Sequence, residues 1–316
     1  MPQHDIATGL IQNPFPLQLR SLLEKMKVAL LANPASGRGA GARALPAAQA
    51  ALSRLAPVYS ACTIAPGDET RIVREALHAG AETIAVLGGD GTWSNTARAL
   101  LEAGAGDRCR LAFLAAGTGN DLAKSLKIPA HDFAATARLI ESRSERRMDA
   151  GQVNGRWFVN AVGFGFDAAV LEQTLQPSAL RGVAVYIAAA ARELFRYRGF
   201  TVRIGDAREQ RLLMLVFANG AYFGGAFHIA PSAQLDSGTL SVVTIRDATP
   251  IQRIRLFAAA TRGSHIALPG VSLGSVRDCH LTFQSPVVYQ ADGELLWLAT
   301  GDVDVRCVPG ALRICA

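Results

Sequence analysis

Two glycine-rich turns each follow a short apolar run directly and each open a helical stretch, and this limits the fold of the 316-residue chain more tightly than any other feature. They are Gly88-Gly89-Asp90-Gly91-Thr92 after Thr83–Leu87, and Gly117-Thr118-Gly119-Asn120-Asp121 after Leu111–Ala115. A third such loop, Asn33–Gly41, follows Val28–Ala32. With Val58–Ile64 as a further strand, and helices over Ala42–Leu55, Asp68–Ala79, Asn95–Ala103, Asp121–Leu126 and His131–Glu141, the order alternates β and α. That order predicts a parallel sheet covered on both faces. Ligands of such sheets bind beyond the carboxyl ends of the strands, where all three loops fall.

From about Met148 the period changes. Short β-like runs (Ala150–Val153, Arg156–Val162, Thr201–Ile204, Leu212–Ala218, Thr239–Ile245, Cys279–Gln284) are separated by Gly, Asn, Asp or Pro. Two helices, about Ser178–Tyr197 and Ile251–Thr261, interrupt them. The expectation is an α/β domain over residues 25–146 and a β-rich, antiparallel, sandwich-like domain over 147–302, with residues 303–316 packing back on the first. Residues 1–24 read as irregular apart from a short helix at Leu19–Glu24.

Hydrophobic residues make up 50% and charged residues 18%, enough apolar surface for sizeable cores. The net charge is +6 with only four lysines, so arginine carries the positive charge and favours phosphates or acidic headgroups. No basic run interleaved with aromatics occurs, which argues against nucleic acid. Five scattered cysteines, without a CxxC or a zinc spacing, suit a reducing compartment. No signal peptide is evident, and the longest uncharged apolar run, Gly182–Ala191, is far short of a membrane span. A cytoplasmic protein, peripheral to the membrane, is expected.

Glycines let backbone approach a phosphate closely, and a helix start presents unpaired N–H groups to it. Asp90 among such donors makes sense if it organises Mg²⁺ or bonds a nucleotide. Thr118 can donate to a phosphate oxygen; Asn120 or Asp121 serves as a helix cap, a ligand contact, or both. In the Asn33–Gly39 stretch, Ser36, Arg38 and the backbone are further phosphate candidates. No GxxxxGK[ST] is present. Gly37–Ala42 only imitates a dinucleotide fingerprint, because Pro57–Thr63 lacks the acid it requires.

GGDGT after one strand and GTGNDLA after the next resemble the catalytic domain of diacylglycerol kinases and their bacterial soluble relatives. Asn219-Gly220 with Gly224-Gly225, Ala230–Ala233, Asp236-Ser237-Gly238 and Ala291-Asp292-Gly293-Glu294 extend the resemblance from about Lys27 to the end of the chain. It implies an ATP- and Mg²⁺-dependent lipid kinase of phospholipid biosynthesis, most simply converting diacylglycerol to phosphatidic acid. It further implies nucleotide contacts from Thr63, from Gly88, Gly89, Asp90, Gly91 and Thr92 through Ser94, and from Thr118, a general base at Asp292 and a role for Glu294 nearby; Asn33 stands with Ser36 and Arg38 as a candidate from its own loop. Read without the resemblance, Asp292-Gly293 is a hairpin turn.

Two departures stand out. Ser94-Asn95 replace an Asn-Glu pair frequent in the family, and Ser237 replaces a second acid that holds a structural Mg²⁺. Asp236 with the carbonyls of Gln234 and Thr239 is then the expected metal site. The helix over Ser178–Tyr197, with Tyr186, Phe195, Arg181, Arg192, Arg196 and the nearby Arg198, suits a membrane surface as well as its own domain. Tyr222, Phe223 and Phe227 suit either an acyl-chain wall or a core. Other acceptors (sphingoid bases, ceramide, NAD in the manner of NAD kinases), a decayed nucleotide- or lipid-binding regulator, and the oligomeric state, a homodimer included, are left open.

Overall fold

A computed structural model describes residues 27–55, 57–176, 183–225, 227–284 and 286–316; the expected helix at Leu19–Glu24, Arg181 and the Tyr186 side chain fall outside them. Strands β1 (Val28–Ala32), β2 (Tyr59–Cys62), β3 (Thr83–Gly88) and β4 (Arg110–Ala115) run parallel in the order β2-β1-β3-β4. All residues of β1, β3 and β4 are buried, which is why these strands read as unbroken apolar runs. Side-chain alternation divides them between two cores. Leu31, Val86 and Phe113 meet Ile72 of α2 (Glu69–His78), Trp93, Ala97 and Leu100 of α3 (Asp90–Glu102), and Leu122 of α4 (Asp121–Leu126). Leu30, Leu87 and Leu114 meet Leu52 of α1 (Ser36–Leu52) and Phe133 and Ile140 of α5 (Phe133–Glu141). Trp93, Ala97 and Leu100 stand at i, i+4 and i+7, a single face of α3.

The second half is antiparallel. It comprises β5 (Arg146–Val153), β6 (Arg156–Phe158), β7 (Ala161–Gly165), β8 (Phe200–Ile204), β9 (Gln210–Ala218), β10 (Leu240–Arg246), β11 (Val271–Val276), β12 (Asp278–Phe283), β13 (Val287–Ala291), β14 (Glu294–Leu298) and β15 (Asp302–Ile314). Its interior packs Phe164 edge-on against Phe217, tilted against Phe283 and stacked on Tyr289, with centroids 6.4, 5.4 and 5.6 Å apart. The outer face of β9 and β10 is covered by α6 (Phe166–Thr174), α7 (Val183–Arg196) and α8 (Pro250–Ala260). Thr249 and Gln252 form a capping box with Pro250 in the first turn of α8, so that end is closed by its own sequence. Strand β15 joins the two halves: it pairs with β12 and β5, then runs parallel to β4 through Arg313 and Ile314. Among the described residues no helix is long and apolar enough to cross a membrane.

Several expected elements shift. Helix α3 starts at Asp90, straight out of the glycine turn, instead of at Asn95. The expected strand Arg156–Val162 breaks into β6 and β7 at Val159-Asn160. Of the helix expected over Ser178–Tyr197, the described part is Val183–Arg196. Strand β11 escaped notice because most of its residues are exposed and carry no apolar alternation.

Trp93 is fully buried 4.8 Å from Phe113, and its Nε1 has no hydrogen-bond partner. Trp93→Ala is expected to cost about 3–5 kcal/mol in urea unfolding. Trp93→Phe should cost clearly less, since no indole hydrogen bond is lost; equal losses would contradict this packing.

Candidate active site at the carboxyl edge of the parallel sheet

The three glycine loops meet where β1, β3 and β4 end. A Cβ on Gly89 would stand 3.1 Å from the Gly117 Cα, and one on Gly117 would overlap the Gly89 Cα. A Cβ on Gly37 would stand 2.9 Å from the Ala116 carbonyl oxygen. The first loop is tied to the second by Asn33, whose Nδ2 donates to Thr92 Oγ1 at 2.9 Å while its Oδ1 accepts from Ala35 N at 3.0 Å. Gly37, Arg38 and Gly39 are consecutively left-handed (φ 55°, 56° and 83°), which interrupts α1. For Arg38 this costs on the order of 1–2 kcal/mol, a strain usually held at functional sites. Ser36 Oγ is buried without a partner, 2.5 Å from where a Cβ on Gly41 would stand. Exposed Thr118 stands at the lip of the third loop.

Helix α3 begins between the loops with Gly89 as its N-cap and no side-chain cap. The amides of Asp90, Gly91 and Thr92 therefore lack intrahelical acceptors, and the positive end of a 13-residue helix faces the loops. An anion such as a nucleotide phosphate fits that end, as does the orphaned Ser36 hydroxyl. Thr63 lies at the end of β2, its N–H on the Ala32 carbonyl at 2.8 Å. Beside it an open groove of about 630 Å³ is lined by Ile64, Pro66, Gly67, Arg71 and Arg74.

Two of the expected ligand residues hold the scaffold together. Asp90 Oδ1 accepts from Leu122 N at 3.3 Å, so Asp90 closes the start of α4 and cross-links the second and third loops. Burial pushes its carboxyl above the usual range and Asp121 adds to this, against the amides of Leu122, Asp121 and Asn120. Asn120, left-handed at φ 51°, braces its own loop: its Oδ1 accepts from Gly117 N at 3.0 Å and its Nδ2 donates to Gly117 O at 2.9 Å. Asp121 faces the second half of the chain. Its Oδ2 accepts from Gly225 N at 2.6 Å and its Oδ1 pairs with Lys124 Nζ at 3.1 Å, while Lys124 donates to Gly225 O at 2.8 Å. Asp121 thus serves as a strut between the halves.

Asp292 comes from the opposite side. Asp292 and Gly293 (φ 49° and 84°) form the two-residue turn between β13 and β14, as an Asp-Gly hairpin should. The carboxylate turns back to accept three successive amides, Val159 at 2.8 Å, Asn160 at 2.9 Å and Ala161 at 3.0 Å. This is what breaks the expected strand over Arg156–Val162. Burial raises its pKa; the amides of Val159, Ala161 and Asn160 and the Ser94 hydroxyl pull it down without cancelling the rise. Ser94 belongs to the first turns of α3, so Asp292 faces the helix end that the glycine loops surround.

Glu294 is an ion-pair partner. Arg98 of α3 holds it with two hydrogen bonds of 3.0 Å each, and Arg156 Nη2 donates to the same carboxylate. Arg98 also donates to Asn95 Oδ1 at 2.8 Å, and buried Glu69 interacts with the Asn95 side chain. Neither Arg98 nor Arg156 was expected here. The i, i+4 spacing from Ser94 put Arg98 on the right face of α3, whereas Arg156 had no sequence signal.

Asp236, with the carbonyls of Gln234 and Thr239, was the expected metal site. Asp236 is paired with Arg146, Nε at 2.9 Å and Nη2 at 2.8 Å, which holds its carboxyl below the usual range. Of the two carbonyls, that of Thr239 accepts from Ser237 Oγ and that of Gln234 from Ser237 N. A guanidinium thus pairs with the Asp236 carboxylate, and among the described residues no group of three or more His, Cys, Asp and Glu side chains stands ready to hold a metal. Tyr222 stacks on His228 at 4.4 Å beneath Lys124, and Phe227 packs on Phe257 at 6.1 Å.

Burial pushes the Glu294 carboxyl up, but Arg98 and Arg156 outweigh it and the net shift is downward. A depressed carboxylate stabilises the fold above its unfolded value of about 4.3, and this is lost as pH falls through the folded value. Glu294→Gln is therefore expected to flatten the loss of stability below about pH 4.3 in acid unfolding. An unchanged acid limb would contradict the ion pair.

Residues 27–153 match the family described as the diacylglycerol kinase catalytic domain. Residues 160–316 match the YegS C-terminal NAD kinase beta sandwich-like domain. The chain is 29% identical over 301 residues to a diacylglycerol kinase of Mycobacterium tuberculosis, covering 91% of this chain and 94% of that one. It is 35% identical over 224 residues to a YegS-like lipid kinase of Pseudomonas aeruginosa, covering 70% and 72%. The fold resembles the crystal structure of a diacylglycerol kinase from Bacillus anthracis with a TM-score of 0.68 at 21% identity, over 92% and 97% of the two chains. With the glycine loops and the Asp292 turn converging at one edge, these matches make the chain a kinase of the diacylglycerol kinase and YegS-like lipid kinase family.

Proposed function

We propose that the protein transfers the γ-phosphoryl group of ATP to a lipid hydroxyl, with diacylglycerol as acceptor and phosphatidic acid as product. The observation that carries this reading is Asp292 facing, through Ser94, the uncapped start of α3. The α3 amides and the glycine loops would cradle the phosphates, Ser36 and Arg38 closing one side and Thr118 the other. Mg²⁺ arriving with the nucleotide supplies charge neutralisation. As the acceptor oxygen attacks phosphorus, its proton passes to Asp292, the bond between the γ-phosphorus and the bridging oxygen breaks, and ADP leaves. Three amides hold Asp292 in a fixed rotamer, and burial keeps it basic enough to take that proton.

Diacylglycerol as acceptor follows the names of the relatives. Exposed Leu175, Phe195 and Trp297, with Arg192 and Arg196 on α7, support a peripheral approach to an anionic membrane. A soluble acceptor is a second reading, favoured by the NAD kinase-like description of the second domain.

The test is labelled ATP offered with diacylglycerol, monoacylglycerol, a sphingoid base, ceramide or phosphatidylglycerol in mixed micelles, and with NAD without lipid. Label in the diacylglycerol product is expected; label in NAD alone, or in nothing, would contradict the proposal. Asp292→Asn should lower lipid phosphorylation by about 10²-fold or more. Near-normal turnover in that variant would remove Asp292 from the chemistry.

A further inference from the structure

The turn that carries Asp292 is held by a buried side chain with no part in the proposed chemistry. Gln290 lies on β13 two residues before Asp292 and is 2% exposed. Its Oε1 accepts from Gly293 N at 3.0 Å. Its Nε2 donates at 3.1 Å to Oδ2 of Asp167, in the first turn of α6. Gly293 is exposed, and its N–H would otherwise be left to water. Asp292 N already donates to Ala161 O at 2.9 Å, so Gln290 completes the anchoring of the turn. A left-handed Asp292 (φ 49°) keeps that conformation where its surroundings fix it.

The local sequence makes room for this bridge. Gln290 is the lateral partner of Gly163 on β7. A Cβ on Gly163 would overlap Asp167 Oδ2 and stand 2.9 Å from Gln290 Nε2, so the bridge depends on the missing side chain. Asp167 is 9% exposed, at a helix start that favours an anion. Burial pushes its carboxyl up to about 6, against the pull of Gln290 and of the Ala168 and Asp167 amides. It is therefore ionised, and can only accept, at neutral pH. A carboxamide can flip, but a flipped Gln290 would set oxygen against this carboxylate and its NH₂ against the Gly293 N–H. Asp167 thus fixes Gln290 Oε1 on the turn. Among the described residues Asp167 Oδ1 finds no partner in hydrogen-bond geometry. A half-satisfied buried carboxylate costs stability, and such departures concentrate at functional sites.

We infer that Gln290 and Asp167 are positioning residues for the phosphoryl transfer. The pair fixes the Asp292-Gly293 turn and so keeps the Asp292 carboxylate in place before the start of α3. This rests on the reading of Asp292 as the base for the acceptor. Both side chains act through the backbone of the turn.

The experiment measures kcat for lipid phosphorylation, KM for ATP and hydrogen exchange of the Gly293 amide at about pH 8, where Asp167 is ionised. The wild type, Gln290→Met, Gln290→Glu and Gln290→Glu/Asp167→Asn are compared. Gln290→Met keeps the bulk and removes both hydrogen bonds. It should lower kcat about tenfold or more, leave KM for ATP within about threefold, and speed Gly293 exchange about tenfold or more. Gln290→Glu sets two carboxylates against each other and should lower kcat at least as far. Adding Asp167→Asn reverses the polarity of the pair: the introduced amide donates to the introduced carboxylate, whose other oxygen accepts from Gly293 N. That double variant should recover kcat to within about threefold of the wild type. A kcat within about twofold of the wild type in Gln290→Met, or a double variant no faster than Gln290→Glu, would overturn the inference. If Gln290→Met does not fold, the comparison of Gln290→Glu with the double variant decides. A wild type that phosphorylates no lipid would instead remove the reading of Asp292 as base. Gly293 exchange then tests the pair alone, and unchanged exchange in the variants would overturn it.

Discussion

The contact between Gly89 and Gly117 is the constraint on which the site depends. Two loops from adjacent parallel strands pass so closely that a methyl group on Gly117 would overlap Gly89 and one on Gly89 would press against Gly117. Such an approach requires β3 and β4 to be neighbours in register, with Gly88 opposite Ala115. It also requires α3 to leave the turn at once, because a longer connection would lift its amides off the edge. Asp90 fixes the arrangement by closing α4 with a carboxylate from the start of α3. The acid inside the glycine motif is thus first a cross-link between loops, and the exposed amides at the start of α3 follow from the geometry it holds.

The second half is positioned against this edge by a set of polar contacts and one strand. Asp121 and Lys124 grip both polar backbone atoms of Gly225, Arg98 reaches Glu294, and Ser94 reaches Asp292. Partly exposed ion pairs contribute on the order of 1 kcal/mol or less, so they set orientation more than stability. The heavier link is β15, whose 13 residues hydrogen-bond to elements of both halves. A rigid strand with adjustable ion pairs suits the proposed site, whose base and phosphate cradle would come from different parts of the chain.

Strands β1, β3 and β4 were legible because burial on both faces writes them as apolar runs, and Asp292-Gly293 was legible as a turn because a type I′ hairpin demands left-handed residues. Residue roles were less so. Asp236 reads as a metal ligand locally, but the side chain that neutralises it is Arg146, 90 residues earlier. The strand expected over Arg156–Val162 breaks because a carboxylate more than 130 residues away claims its amides. Glu294 reads as a second acid beside Asp292, yet the two arginines that occupy it lie on α3 and β6. Local motifs carry backbone geometry well; they do not carry the identity of a distant charge partner.

The account rests on a division of labour: the first half holds the nucleotide and Asp292 from the second half acts on the acceptor alone. Equilibrium binding of a non-hydrolysable ATP analogue to wild type and Asp292→Asn tests it most directly. The account predicts dissociation constants within about threefold of each other, a difference below 1 kcal/mol. A loss of nucleotide affinity of about tenfold or more in Asp292→Asn, with the fold intact, would contradict it.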